Sequence, residues 1–114
     1  MKKPSRIMFI DEPTKKAYET LKTGTREERR LYKTLMRAFR RLTENAFCGI
    51  QIPKRQIPEE YTKKYDVENL WKLNLSGAWR LLYSIQGDSV IVISIILEWL
   101  SHKEYEKRLG YRKG

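Results

Sequence analysis

The stretch from Leu70 to Leu100 reads LWKLNLSGAWRLLYSIQGDSVIVISIILEWL. Three segments rich in apolar, β-branched and aromatic residues are punctuated there by Ser76-Gly77 and by Gly87-Asp88. That spacing predicts consecutive antiparallel strands over Leu70–Leu75, Ala78–Ile85 and Ser89–Trp99. Side chains alternate along a strand, so Trp79, Leu81, Tyr83 and Ile85 share one face while Arg80, Leu82 and Ser84 share the other. Arg80 is then a permanent cation in a central, largely covered strand. Such a charge is costly unless it is paired, with Glu98 or Glu104 as partners, or opens onto a binding surface. The last segment is apolar on both faces, which predicts a strand with structure packed on each side.

Upstream, Arg6–Ile10 reads as a short first strand ending at Asp11-Glu12-Pro13. Pro13 cannot donate to a ladder but suits the first turn of a helix, predicted over Thr14–Leu21 and closed by Gly24. Thr25 followed by Glu28 is a capping-box pattern. Leu31, Leu35, Phe39 and Leu42 then recur at four- and three-residue spacing, predicting a helix from about Arg26 to Asn45. Arg29, Arg30, Lys33, Arg37, Arg40 and Arg41 fall largely off that stripe and read first as a solvated face.

Residues 46–69 are irregular and broken by Pro53 and Pro58. Ile50-Gln51-Ile52 is a candidate for brief pairing, and Glu59–Lys64 for a turn of helix. Lys54-Arg55 form a basic tip between those prolines. After Trp99, Glu104–Arg108 predicts a last helical turn stopped by Gly110. The order β-α-α-β-β-β is an α+β pattern in which the first strand joins the sheet and the helical hairpin packs on one face.

At 114 residues the chain is one domain, able to bury roughly 65% of its unfolded surface. Its longest apolar run, Val90–Leu97, falls short of the ~20 residues that span a bilayer, and the start of the chain lacks a signal-peptide pattern. The lone Cys48 excludes an internal disulfide or a multi-cysteine metal site and reads as a small buried hydrophobe. The expectation is a cytoplasmic protein without metal or cofactor. A net charge of +10 points to a polyanion partner, most often nucleic acid, rather than a membrane surface.

The phrase Gly77-Ala78-Trp79-Arg80-Leu81-Leu82-Tyr83-Ser84-Ile85, followed by a hydrophobic strand and Ser101-His102-Lys103-Glu104-Tyr105, resembles the RelE/ParE superfamily of toxins. The resemblance covers most of the chain and is strongest from Trp71 to Tyr105. It implies a small twisted antiparallel sheet of about four strands with an N-terminal helical hairpin. It also implies the toxin of a type II toxin–antitoxin system, a ribosome-dependent endoribonuclease cutting mRNA and silenced by a cognate acidic antitoxin. ParE-like members are instead inhibitory binding proteins acting on DNA gyrase. A catalytically decayed RNA- or ribosome-binding module is a third expectation.

Carried over by position, the resemblance makes Arg80 the grip on the scissile phosphate, Tyr105 a stacking or orienting residue, and Lys72 the strand lysine. A second family lysine is replaced here by Asn74. His102, with Lys103 beside it, takes an acid/base role. Lys54, Arg55, Asn74 and Arg108 complete the expected RNA contacts. Metal-free cleavage suits these residue types: a base takes the 2′-hydroxyl proton, cations hold the phosphate, and an acid protonates the leaving 5′-oxygen. Histidine titrates near neutral pH, arginine is a fixed planar fork of donors, and Tyr105 and Trp99 offer stacking faces. Trp71 and Trp79 read as sheet-packing residues.

Overall fold

The computed structural model describes residues 2–87 and 92–109. The expected turn at Asp88, the strand start at Ser89 and the helix stop at Gly110 lie outside those residues. In chain order the elements are β1 (Arg6–Phe9), α1 (Glu12–Leu21), α2 (Arg26–Glu44), β2 (Ile50–Gln51), α3 (Glu59–Tyr65), β3 (Trp71–Asn74), β4 (Arg80–Gly87), β5 (Val92–Leu100) and α4 (His102–Leu109). The class is α+β.

Local chemistry sets the helix starts. The Asp11 carboxylate accepts from the Thr14 backbone N–H at 2.9 Å, which starts α1 two residues earlier than the apolar pattern alone suggests. Those hydrogen bonds, to the side chain and then the backbone of Thr14, hold the Asp11 carboxyl below its ordinary range. Thr25 and Glu28 form both bonds of the capping box, at 3.1 and 2.8 Å. A second box opens α4: Ser101 Oγ accepts from the Glu104 N–H at 3.2 Å, and Glu104 accepts from the Ser101 N–H at 3.0 Å. That serine and glutamate extend α4 beyond the single turn expected.

The sheet runs β1-β5-β4-β3-β2. It has five strands among the described residues rather than about four, because Ile50 and Gln51 pair with Lys72 and Trp71 at one edge. It is mixed rather than wholly antiparallel: β1 lies parallel to β5, with Arg6 opposite Ile93 and Phe9 opposite Ile96. The physical reason is the character of β5. Apolar on both faces, it takes an interior place, and β1 satisfies the backbone edge that β4 leaves open. β4 begins at Arg80 rather than Ala78, because Ser76–Ala78 form a tight turn with Gly77 at φ +76° and Ala78 at φ +63°.

The sheet separates two apolar cores. On one face Leu31, Leu35, Ala38, Phe39 and Leu42 of α2 meet Leu73, Leu81, Tyr83 and Ile96, with Tyr18 and Leu21 of α1 at the margin. Trp71, Trp79 and Trp99 pack around this core. On the other face Tyr61 of α3 and Tyr105 and Leu109 of α4 meet Leu82, Leu97 and Leu100. Cys48 is half-buried rather than buried, and desolvation still pushes its thiol up.

One irregularity decides what the second face carries. Leu82 pairs with Glu98 while the next residue, Tyr83, pairs with Ile96, so Leu97 is an extra residue in β5. A bulge of this kind re-aims neighbouring side chains. Leu97 and Glu98 both come to the α3–α4 side, where Glu98 accepts from the Tyr61 hydroxyl and from Arg108.

Burial also marks three tyrosines. Desolvation pushes the phenols of Tyr18, Tyr61 and Tyr83 well above their ordinary range, aided by Tyr32 at Tyr18 and by Glu98 at Tyr61. A phenol that holds its proton more tightly when folded contributes stability that is complete below the unfolded value, about pH 10, and is lost as pH rises above it. We therefore expect an alkaline titration followed by phenolate absorbance to show only part of the seven tyrosines ionising in the native state. The rest should appear together with a cooperative loss of helix. Seven independent phenols titrating near pH 10 with the fold intact would contradict this account.

Candidate functional site

Strand register places Lys72, Leu82 and Glu98 in one row across the second face, and Asn74, Arg80 and Leu100 in the next. α4 lies over these rows and supplies Tyr105, only 2% exposed, as the floor of the site. Lys72 Nζ stands 5.1 Å from the Tyr105 ring centroid and Arg80 Cζ 5.8 Å from it. Two cations thus share one buried ring, whose negative π face offsets part of their mutual repulsion. Trp79 O accepts from Arg80 Nη1 at 3.2 Å, which fixes one edge of the guanidinium. Neither Glu98 nor Glu104 pairs with Arg80, and among the described residues no carboxylate lies within ion-pair distance of it. Among the described residues the half-buried charge at Arg80 thus meets a carbonyl, the Tyr105 ring and the His102 ring rather than a carboxylate.

His102 stands beside it. Its Nδ1 is 3.4 Å from Arg80 Nη2, and its Nε2 is 3.1 Å from Glu106 Oε2 one helical turn on. A guanidinium has only donors, so the ring nitrogen facing it accepts, and neutral His102 carries its proton on Nε2, donated to Glu106. Glu106 is absent from the residues that the sequence pattern singles out. The His102-x-x-x-Glu106 spacing, which puts both on one helix face, is the signal that points to it.

Other expected site residues fall elsewhere. Arg108, an expected RNA contact, has its Nη1 held by Glu98 at 2.7 Å and by Glu60 at 3.3 Å. Partial burial works against its charge, and Glu98, Tyr61 and Glu60 outweigh that and keep it protonated. Its role is to tie α4 to β5 and α3. Tyr105 is too buried to offer a base an open stacking face, because Lys72 and Arg80 lie over it; it supports the cations instead. Trp99 pairs with Leu81 and packs in the α1–α2 core, on the far side of the sheet from Arg80, so it offers no stacking face there. Asn74 is exposed opposite Arg80. Lys103 is exposed on α4 next to His102. Lys54 and Arg55 are exposed on a tight turn over Lys54–Gln56, where Lys54 borders a separate groove with Asp66 and Glu68.

The arrangement brings the cations Arg80 and Lys72 to one aromatic ring and sets His102 beside Arg80. Among the described residues no cluster of histidine, cysteine and carboxylate side chains could hold a metal ion, and no helix is long and apolar enough to cross a membrane. The chain matches no protein-family model, no curated protein and no solved structure.

Proposed function

We propose that this chain is a RelE-like toxin of a type II toxin–antitoxin system, an endoribonuclease that cuts ribosome-bound mRNA without a metal. The observation that carries the reading is the meeting of Arg80 and Lys72 on the buried Tyr105 ring, with His102 beside Arg80. Arg80 grips the scissile phosphate through its forked donors, and Lys72 adds charge to the non-bridging oxygens. The ribose 2′-oxygen attacks phosphorus, the bond from phosphorus to the 5′-oxygen breaks, and a 2′,3′-cyclic phosphate and a 5′-hydroxyl remain. His102, held by Glu106, transfers protons to or from these oxygens. A cognate acidic antitoxin is the partner that such a basic protein requires for silencing, and the cytoplasm is where its mRNA substrate lies.

The test is a ribosome programmed with a defined mRNA, with and without a single 2′-deoxynucleotide at the cleaved position. Cleavage of the ribo form with a cyclic phosphate end, blocked by the one missing hydroxyl, is the expected result. Cutting of the deoxy form, or no cutting at all, would end the nuclease reading. Asn74 beside Arg80 favours a second reading, since an amide cannot relay a proton: a ParE-like inhibitor without catalysis. Growth arrest with intact mRNA and inhibited gyrase supercoiling would select it.

A further inference from the structure

Seven basic residues of α2 (Arg26, Arg29, Arg30, Lys33, Arg37, Arg40 and Arg41) are all exposed. At 100° per residue they fall within a sector about 120° wide, opposite Leu31, Leu35, Ala38, Phe39 and Leu42, and run for roughly 22 Å along the helix. Among the described residues none of the seven joins an ion pair. Arg29 donates to Gly24 O and Arg37 to Thr34 Oγ1, both within the same region of the chain. Glu28 is engaged in the cap, Glu27 lies off the stripe, and Glu44 reaches it only at the helix end. Arg26 and Arg30, Arg29 and Lys33, Lys33 and Arg37, and Arg37 and Arg41 are like charges at i,i+4, which weaken the helix that carries them. A merely solvated face would interleave carboxylates at these spacings.

The stripe has the chemistry of a backbone reader. Six of its seven cations are arginines, suited to bidentate phosphate contact. Tyr32 borders the same groove as Arg26, Arg29, Arg30, Lys33 and Arg37, but its ring is already stacked on Tyr18 at 4.7 Å. Phe39 is buried, so neither offers a run of bases a free stacking platform. A single strand bound on phosphates alone would leave its bases unstacked, whereas a double helix already has its bases inside. An acidic protein would need an apolar anchor at the centre of the contact, and the stripe has only Met36 at its flank. α2 also covers the opposite sheet face from Arg80, so one RNA strand at Arg80 does not lie along it.

We propose that the α2 stripe docks onto the phosphate backbone of a double-helical RNA segment, separate from the strand held at Arg80. The choice of RNA over DNA rests on the nuclease reading; the choice of a polyanion backbone rests on the stripe alone. The experiment measures binding of the full chain to a short blunt RNA duplex of mixed sequence across a salt series. The variants are a triple Arg29→Gln, Lys33→Gln, Arg37→Gln chain, a matched chain with Arg29→Lys and Arg37→Lys, and Arg80→Ala. Glutamine and lysine are both good helix formers, so unfolding of α2 is not the expected consequence, and helix content by circular dichroism checks it.

The glutamine chain should bind at least about tenfold more weakly, with the slope of log K against log salt shallower by roughly 0.7–0.9 for each phosphate that is no longer neutralised. The lysine chain keeps the charge and loses the forks, so it should keep the parental salt slope and bind between the parent and the glutamine chain. Arg80→Ala should bind the duplex nearly as the parent does. A glutamine chain that binds with parental affinity and slope would overturn the proposal. Equal binding of duplex DNA would overturn the choice of RNA, and tighter binding of polyglutamate would assign the stripe to an acidic protein. Stripe-dependent duplex binding without mRNA cleavage would remove the nuclease reading and leave this one standing. Cleavage with no stripe dependence of duplex binding would do the reverse.

Discussion

Replacing Arg80 by alanine is expected to lower ribosome-dependent mRNA cleavage by about 10²–10³-fold, the scale seen when one preorganised donor is removed from developing charge. The fold should survive. Arg80 is only half-buried, and its removal forfeits one hydrogen bond to Trp79 O and the cation–π attraction of the Tyr105 ring. Each is worth roughly 0.5–1 kcal/mol at a partly wetted position. No buried carboxylate is left unpaired, because none pairs with Arg80 among the described residues. Arg80→Lys should recover only part of the rate, since it keeps the charge and loses the fork. Measured on the programmed ribosome beside thermal unfolding, a parental rate for Arg80→Ala would show that the phosphate is held elsewhere.

Glu98→Ala should be the most destabilising single charge change in the chain, at about 2–4 kcal/mol. Glu98 accepts from the Tyr61 hydroxyl of α3 and from Arg108 of α4, and the side chains of the Glu98–Arg108 pair are 25% and 32% exposed. Alanine strands a half-buried guanidinium and a buried phenol together, and the partial exposure of the pair keeps the cost below that of a fully buried one. A fall in Tm of roughly 10 °C follows for a domain of this size. Activity should fall too, because α4 carries both His102 and Tyr105 and is tied down through Arg108. Glu98→Gln, which keeps an acceptor for Tyr61, should lie between parent and alanine. A double-mutant cycle with Arg108→Ala measures the coupling directly. Additive single effects would show that the two residues do not act as a unit.

Much of this architecture is legible in the chain itself. The Thr25–Glu28 box, the Leu31–Leu42 stripe and the alternation of Leu81 and Tyr83 against Arg80 and Leu82 involve residues no more than four positions apart or one strand's own pleat. Backbone geometry makes such patterns local, so reading them needs no knowledge of what lies opposite. The Ser101–Glu104 box and the His102–Glu106 pair belong to the same local class and are equally readable. Basic charge and the singularity of Arg80 in its strand come from composition and alternation alone.

The tertiary structure decided the pairings between distant positions. That β1 pairs with β5 follows from β4 holding the other edge of that interior strand, not from the residues of β1. Arg108 meets Glu98 because one extra residue at Leu97 carries that carboxylate onto its face. Tyr105 turned from a stacking surface into a support because α4 buries it beneath Lys72 and Arg80. Sequence by itself determined the periodicities, caps and charge that each segment presents. Only the tertiary structure decided which charges meet, because that depends on strand register, a one-residue bulge and the packing of one helix across the sheet.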